Sequence, residues 1–183
     1  MPERKRLSAR DWTDAAVDAL ATSGLAGVAV EPLAARLGTT KGSFYWHFAN
    51  RDALLEAALL SWEQTDTEAV IELVDGTADP RERLHVLLEL AIGGRPIVLA
   101  LLATPDHPLV APVLARVTGR RIGYLEQLFV ELGFPAEKAR QRGLLAYTAY
   151  LGHAQLLRAT PGLTPTGAAL AAYVDATIEA LCA

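Results

Sequence analysis

Apolar residues recur at three- and four-residue steps along nearly the whole chain, and no segment alternates strictly enough for a strand. Trp12, Ala15, Ala16, Ala19 and Leu20 predict a first helix that Ser8 can cap and that ends near Gly24. A short helix follows from about Glu31 to Leu37, with Pro32 in its first turn and Val30, Leu33, Ala34 and Leu37 turned inward. Gly38 ends it, and Thr39 or Thr40 can cap another that runs to about Phe48. Two short helices across a tight turn containing glycine have the spacing of a helix-turn-helix. Asn50 caps a longer helix, with Leu54, Leu55, Ala58, Leu59 and Trp62 on its apolar side, ending around Asp75-Gly76. Asp79 and Pro80 open the next, which stops at Gly93-Gly94. A short helix through "IVLALLA", one from Leu109 to Leu132, one from the Gly-Phe-Pro turn to Thr160 and a last from Ala168 to Leu181 complete the pattern.

The expected fold is therefore all-α. A three-helix module carrying the helix-turn-helix (residues 1–49) precedes a larger helical domain (residues 50–183). With 183 residues, 51% of them apolar, the chain can bury a substantial core. Its longest apolar runs fall short of the roughly 20 residues that span a bilayer, so no membrane association is expected. The N-terminus lacks the apolar segment and cleavage site of a secretory signal, which makes the expected location cytoplasmic. Cys182 stands alone, without a disulfide partner or a cysteine-based zinc site. The histidines show no metal-ligand spacing, no Gly-rich phosphate loop follows a strand, and no triad context surrounds the serines. An enzyme is not indicated, and no cofactor or metal is called for.

Charge sharpens the division. Up to Arg51 there are seven basic against five acidic side chains, and beyond it 10 against 16, so the formal charge of −4 conceals a basic N-terminal module. A phosphate meets the local field, and an acidic whole does not exclude a polyanion for that module.

The module also holds "FYWHF", Phe44 to Phe48, which contains four of the chain's twelve Phe, Trp and Tyr residues. At 100° per residue, Phe44 and Phe48 fall about 40° apart and can share the core side. Trp46 and Gly42 fall opposite, flanked by Ser43, Tyr45 and His47. An aromatic face of this kind suits a DNA major groove better than water. Gly42 permits close backbone approach, Lys41 and Ser43 can reach base edges, and Trp46 can press on thymine methyls. Tyr45 and His47 offer polar tips to phosphates, and Arg51 brings a charge to the same backbone.

Residues Val30 to Leu55, "VEPLAARLGTTKGSFYWHFANRDALL", closely resemble the helix-turn-helix of the tetracycline-repressor (TetR) family of bacterial transcriptional regulators. Leu33-Ala34, Gly38, Thr40, Lys41-Gly42-Ser43, the aromatic run, Asn50-Arg51 and Leu54-Leu55 carry the likeness, which covers about the first 55 residues. It implies that Thr40, Lys41, Gly42, Ser43 and Trp46 lie along the groove while Tyr45, His47 and Arg51 hold phosphates. Two positions depart from the family pattern: Ala29 stands where a hydroxyl residue often caps the second helix, and Ala49 where a basic or polar residue is frequent.

The resemblance further implies a homodimer joined through the last two long helices, a small-molecule effector, and an operator of near-palindromic double-stranded DNA. On one of those helices Leu144, Thr148, Leu151 and Gln155 form a stripe, and on the other Leu170, Val174, Ile178 and Leu181 match it; both stripes also suit an internal core. Candidate effector contacts are Trp62, His85, Leu88, Leu102, Arg121, Tyr124 and Tyr147, although each taken singly also fits ordinary packing or, for Arg121, a solvated surface. The expected function is a ligand-responsive repressor. An activator of the same build and an all-α ligand-binding protein without DNA binding are the alternatives.

Overall fold

The computed structural model describes residues 7–94 and 96–183, and the charges of Glu3, Arg4, Lys5 and Arg6 lie outside the described residues. Among the described residues ten α-helices follow one another: α1 Ala9–Ser23, α2 Val30–Arg36, α3 Lys41–Phe44, α4 Arg51–Glu63, α5 Ala69–Asp75, α6 Pro80–Gly93, α7 Ile97–Leu102, α8 Val110–Glu131, α9 Ala136–Ala159 and α10 Ala168–Cys182. No strand occurs among the described residues. Packing divides the chain into two units. One, here the head, runs to Gln64 and takes in Ala100–Leu114; the other, the body, comprises Thr65–Leu99 and Ala115–Ala183.

In the head, Ser8 opens α1 with a capping box, its hydroxyl accepting from the Asp11 amide while the Asp11 carboxylate accepts from the Ser8 amide. α1 packs along α4, and Trp12, Leu20, Leu33, Phe44, Leu55 and Leu59 are sealed in their shared core. Each such side chain stabilises the fold by about 1.5–3 kcal/mol relative to exposure. Gly38 makes the turn between α2 and α3 at φ +64°, where a Cβ would be strained. The Asn50 side chain caps α4 by accepting from Ala53 N at 2.9 Å.

Two predicted helices differ in detail. α3 gives way after Phe44 to a tighter turn in which the amides of both His47 and Phe48 donate to the Phe44 carbonyl, at 2.9 and 3.0 Å. The helix expected to run unbroken from Asn50 to Asp75 carries a π turn at Gln64–Glu68 between α4 and α5. There Arg121 donates to the Asp66 carbonyl and to the Thr67 hydroxyl, both at 3.0 Å, and a side chain that enters the carbonyl ladder widens it locally.

The body has one continuous core built by α5, α6, α8, α9 and α10, with Leu84, Leu128, Phe129 and Val174 at its centre. α8 and α9 touch at Gly143, where a Cβ would stand 3.0 Å from the Glu126 amide nitrogen and 3.2 Å from the Ile122 carbonyl oxygen. Across this core Arg83 pairs with Glu131 and, at 3.6 Å, with Asp75.

Candidate functional site

The turn after α3 separates its aromatic residues by burial. Phe44 is wholly enclosed, meeting Trp12 edge-on at 5.3 Å and stacking on half-buried Phe48 at 5.7 Å. With Phe44 fixed inward, the turn projects Tyr45 and Trp46 outward; Trp46 is 83% exposed. Lys41 and Gly42 are exposed beside them, and half-buried Ser43 and His47 line a shallow hollow with Leu7 and Trp46. Thr40, also exposed, occupies the cap position of α3 but makes no side-chain cap bond. Ala29 likewise leaves α2 without a side-chain cap. The eight residues predicted to face DNA, Thr40 to Ser43, Tyr45 to His47 and Arg51, are thus gathered on α3, its turn and the start of α4.

The cations there are engaged within the protein. Lys41 Nζ donates to Glu31 Oε1 at 2.8 Å. That hydrogen bond, reinforced by the attraction of the charges, holds the Glu31 carboxyl below its ordinary range and the Lys41 ammonium above its own. Arg36 pairs with Asp18 at 2.6 Å and Arg10 with Asp14 at 3.7 Å. Arg51 donates from Nε to the Val28 carbonyl at 2.7 Å and from Nη2 to the Leu25 carbonyl at 2.8 Å, with Asp52 alongside. Its guanidinium therefore ties the start of α4 to the loop before α2. Among described residues up to position 51, four cations face four acids, so the basic excess read from the sequence belongs wholly to residues 3–6. Glu31 escaped the sequence reading because it reaches Lys41 only through the geometry of the intervening turn.

The predicted effector residues are distributed. Leu88, Tyr124 and Tyr147 belong to the body's core. Tyr124 donates to Asp75 Oδ1 at 2.6 Å, and burial, then that hydrogen bond, pushes its phenol up to about 12. The buried Tyr147 hydroxyl has no hydrogen-bond partner. Arg121 sits on the π turn as described. His85 is half-exposed between Asp175 at 3.1 Å and Glu89 at 3.7 Å. Trp62 is enclosed in the head, and Leu102, also in the head, is exposed. Sequence reasoning passed over Tyr150, whose ring lies 5.9 Å from that of Tyr147 and whose phenol burial pushes up. It also passed over buried His153, stacked on Tyr173 and lowered in pKa by burial. Ordinary helical spacing gave no sign of either.

On α9, Leu144, Thr148 and Gln155 are exposed and Leu151 half-buried, and Leu145 and Leu156 extend the apolar surface. Of the α10 stripe, which suited an interface or an internal core, Val174 and Ile178 close the body's core and Leu170 packs against it. The helix turns outward alanines 168, 169, 171, 172, 176 and 180 together with Tyr173, Asp175 and Glu179. Apolar periodicity alone could not say which way that stripe looked.

A buried aromatic anchor, an outward aromatic turn and a separate helical body define a helix-turn-helix protein with a second, larger helical part. Residues 13–58 match the family model of bacterial regulatory proteins, tetR family, and this N-terminal domain belongs to that family. The chain as a whole has the fold of solved transcriptional regulators. One from Rhodococcus sp. Rha1 is 21% identical, with a TM-score of 0.78 over 96% of each chain. Escherichia coli NemR in its reduced form is 16% identical, with a TM-score of 0.71 over 94% of each chain. Bacillus subtilis FadR in complex with stearoyl-CoA is 16% identical, with a TM-score of 0.68 over 96% of this chain and 98% of that one. No curated protein matches the sequence. Among the described residues no helix is long and apolar enough to cross a membrane.

Proposed function

We propose that this chain is a homodimeric, ligand-responsive transcriptional regulator that represses by binding a near-palindromic operator and leaves it when a small molecule binds. Residues 1–49 serve as the DNA-binding domain, and residues 50–183 take the effector and the second copy. The observation that carries this is the turn at Tyr45-Trp46, held out from the head by an enclosed Phe44. Bare aromatic surface beside Lys41, Gly42 and Ser43 fits base edges and thymine methyls in a major groove.

Dimerisation is supported by α9, whose Leu144 is 52% exposed within a largely uncharged outer face. The outward alanines of α10, interrupted by Asp175 and Glu179, offer a second packing surface. Two-fold pairing would place the two reading turns about 34–36 Å apart, one helical turn of DNA. For the effector, the unpartnered Tyr147 hydroxyl among apolar neighbours is one buried polar contact the body leaves open. A fatty acyl-CoA is the first probe to try, since FadR was solved with one. Release requires that the effector bind the non-binding geometry more tightly than the DNA-bound one.

Selection of duplexes from a random library, followed by mobility shifts across a salt series, tests the proposal. A two-fold symmetric motif bound with steep salt dependence is expected; failure to enrich any sequence overturns the DNA reading. Repression rather than activation is decided by a reporter placed behind the selected motif.

A further inference from the structure

Lys41 begins α3, the element proposed to enter the groove, and Glu31 lies in the first turn of α2. Their pair is open to solvent, with 53% of the lysine and 74% of the glutamate side chain exposed. An ion pair so exposed adds little to folding. Its consequence is for the field in front of the head. The ammonium that would attract any phosphate is held by a carboxylate, and that carboxylate repels phosphates on its own account.

The head's other described cations do not make up the loss. Arg36 is held by Asp18, Arg10 faces Asp14, and Arg51 is committed to two carbonyls. Exposed on the turn that follows Lys41 are two uncharged residues, Trp46 and Tyr45. Apart from the charges of residues 3–6, arbitrary DNA, which is bound almost entirely through its phosphates, gains little from such a surface. A partner that accepts from Lys41 and donates to Glu31 at once loses nothing by meeting the pair intact. In the major groove a G·C pair does this, with guanine O6 and N7 as acceptors and the cytosine N4 amino group as donor.

We infer that Glu31 is a specificity-determining residue, restraining Lys41 against arbitrary phosphates and making the start of the reading helix select a G·C pair. This rests on the DNA-binding function proposed above.

The test compares the wild type with Glu31→Gln, which keeps shape and removes charge, and with Glu31→Asp, which keeps charge. Each is used to select from a random duplex library and is then titrated with the wild-type motif and with an unrelated duplex of equal length. Glu31→Gln is expected to bind the unrelated duplex about fivefold more tightly at low salt, the effect of one nearby unit charge in water. The salt slope on that duplex should steepen by about 0.9 as Lys41 takes a phosphate. Its selected motif should lose one G·C preference per half-site, and Glu31→Asp should retain discrimination. In a Lys41→Met background, Glu31→Gln should leave the slope unchanged. If the wild type enriches a motif and Glu31→Gln keeps both its discrimination and its slope, this inference falls while the DNA reading stands. If the wild type enriches nothing, both fall.

Discussion

In the head, the polar contacts that shape the candidate site join residues close in sequence. Asp11 and Ser8 are three residues apart, as are Ala53 and Asn50; Lys41 and Glu31 are 10 apart, and Arg51 reaches 23 residues back to Val28. In the body, the comparable contacts span the fold. Arg83 meets Glu131 across 48 residues, Tyr124 meets Asp75 across 49, Arg121 meets the Asp66 carbonyl across 55 and His85 meets Asp175 across 90. Short-range contacts can be conveyed by a compact motif, whereas long-range ones depend on how several helices happen to pack. A recognisable head with a body free to diverge is the consequence.

The largest effect is expected at Phe44. Removing its ring leaves a cavity against Trp12 and Phe48, and Phe44→Ala should cost about 3–5 kcal/mol, read as a lower urea midpoint. Arg51→Ala comes next. Loss of two charge-assisted hydrogen bonds to carbonyls should cost about 2 kcal/mol. The salt slope of DNA binding then separates architecture from phosphate contact: an unchanged slope means Arg51 only holds the loop, and a fall of about 0.9 means it also meets a phosphate.

In the body, Gly143→Ala should destabilise by about 1 kcal/mol although alanine favours helices. The new methyl meets α8 backbone, which cannot swing aside as a side chain would. A thermal melt checks this, and a rise in Tm would mean that the crossing is looser than described. The smallest effect is confined to alkaline pH. Tyr124 titrates near 10 when unfolded and at about 12 when folded, so the folded state holds its proton more tightly. Its contribution is complete below pH 10 and declines as pH rises towards 12. Tyr124→Phe should remove that decline, seen as a smaller difference between urea midpoints at pH 9 and 11.

Much of the architecture was legible because helix ends are written locally. Ser8, Asn50 and Asp79 cap as their positions predict, and Pro80 opens α6. The assignment of Phe44 to the core and Trp46 to the surface followed from helical periodicity alone. The Arg51 fork was not legible, because backbone carbonyls are the same at every residue and leave no trace in the sequence. Nor was the π turn, whose Asp66 carbonyl is met by Arg121 from more than 50 residues away. Val174 and Ile178 read as a stripe, but a stripe names an apolar face without naming what covers it.

Trp46 has one further consequence. Of the three tryptophans, Trp12 and Trp62 are enclosed while Trp46 stands almost bare. Its indole should emit at longer wavelength than the other two and be the first reached by a collisional quencher such as acrylamide. The residue proposed to press on a groove is thereby also a native optical probe, whose shielding would follow occupancy of the head without any label attached.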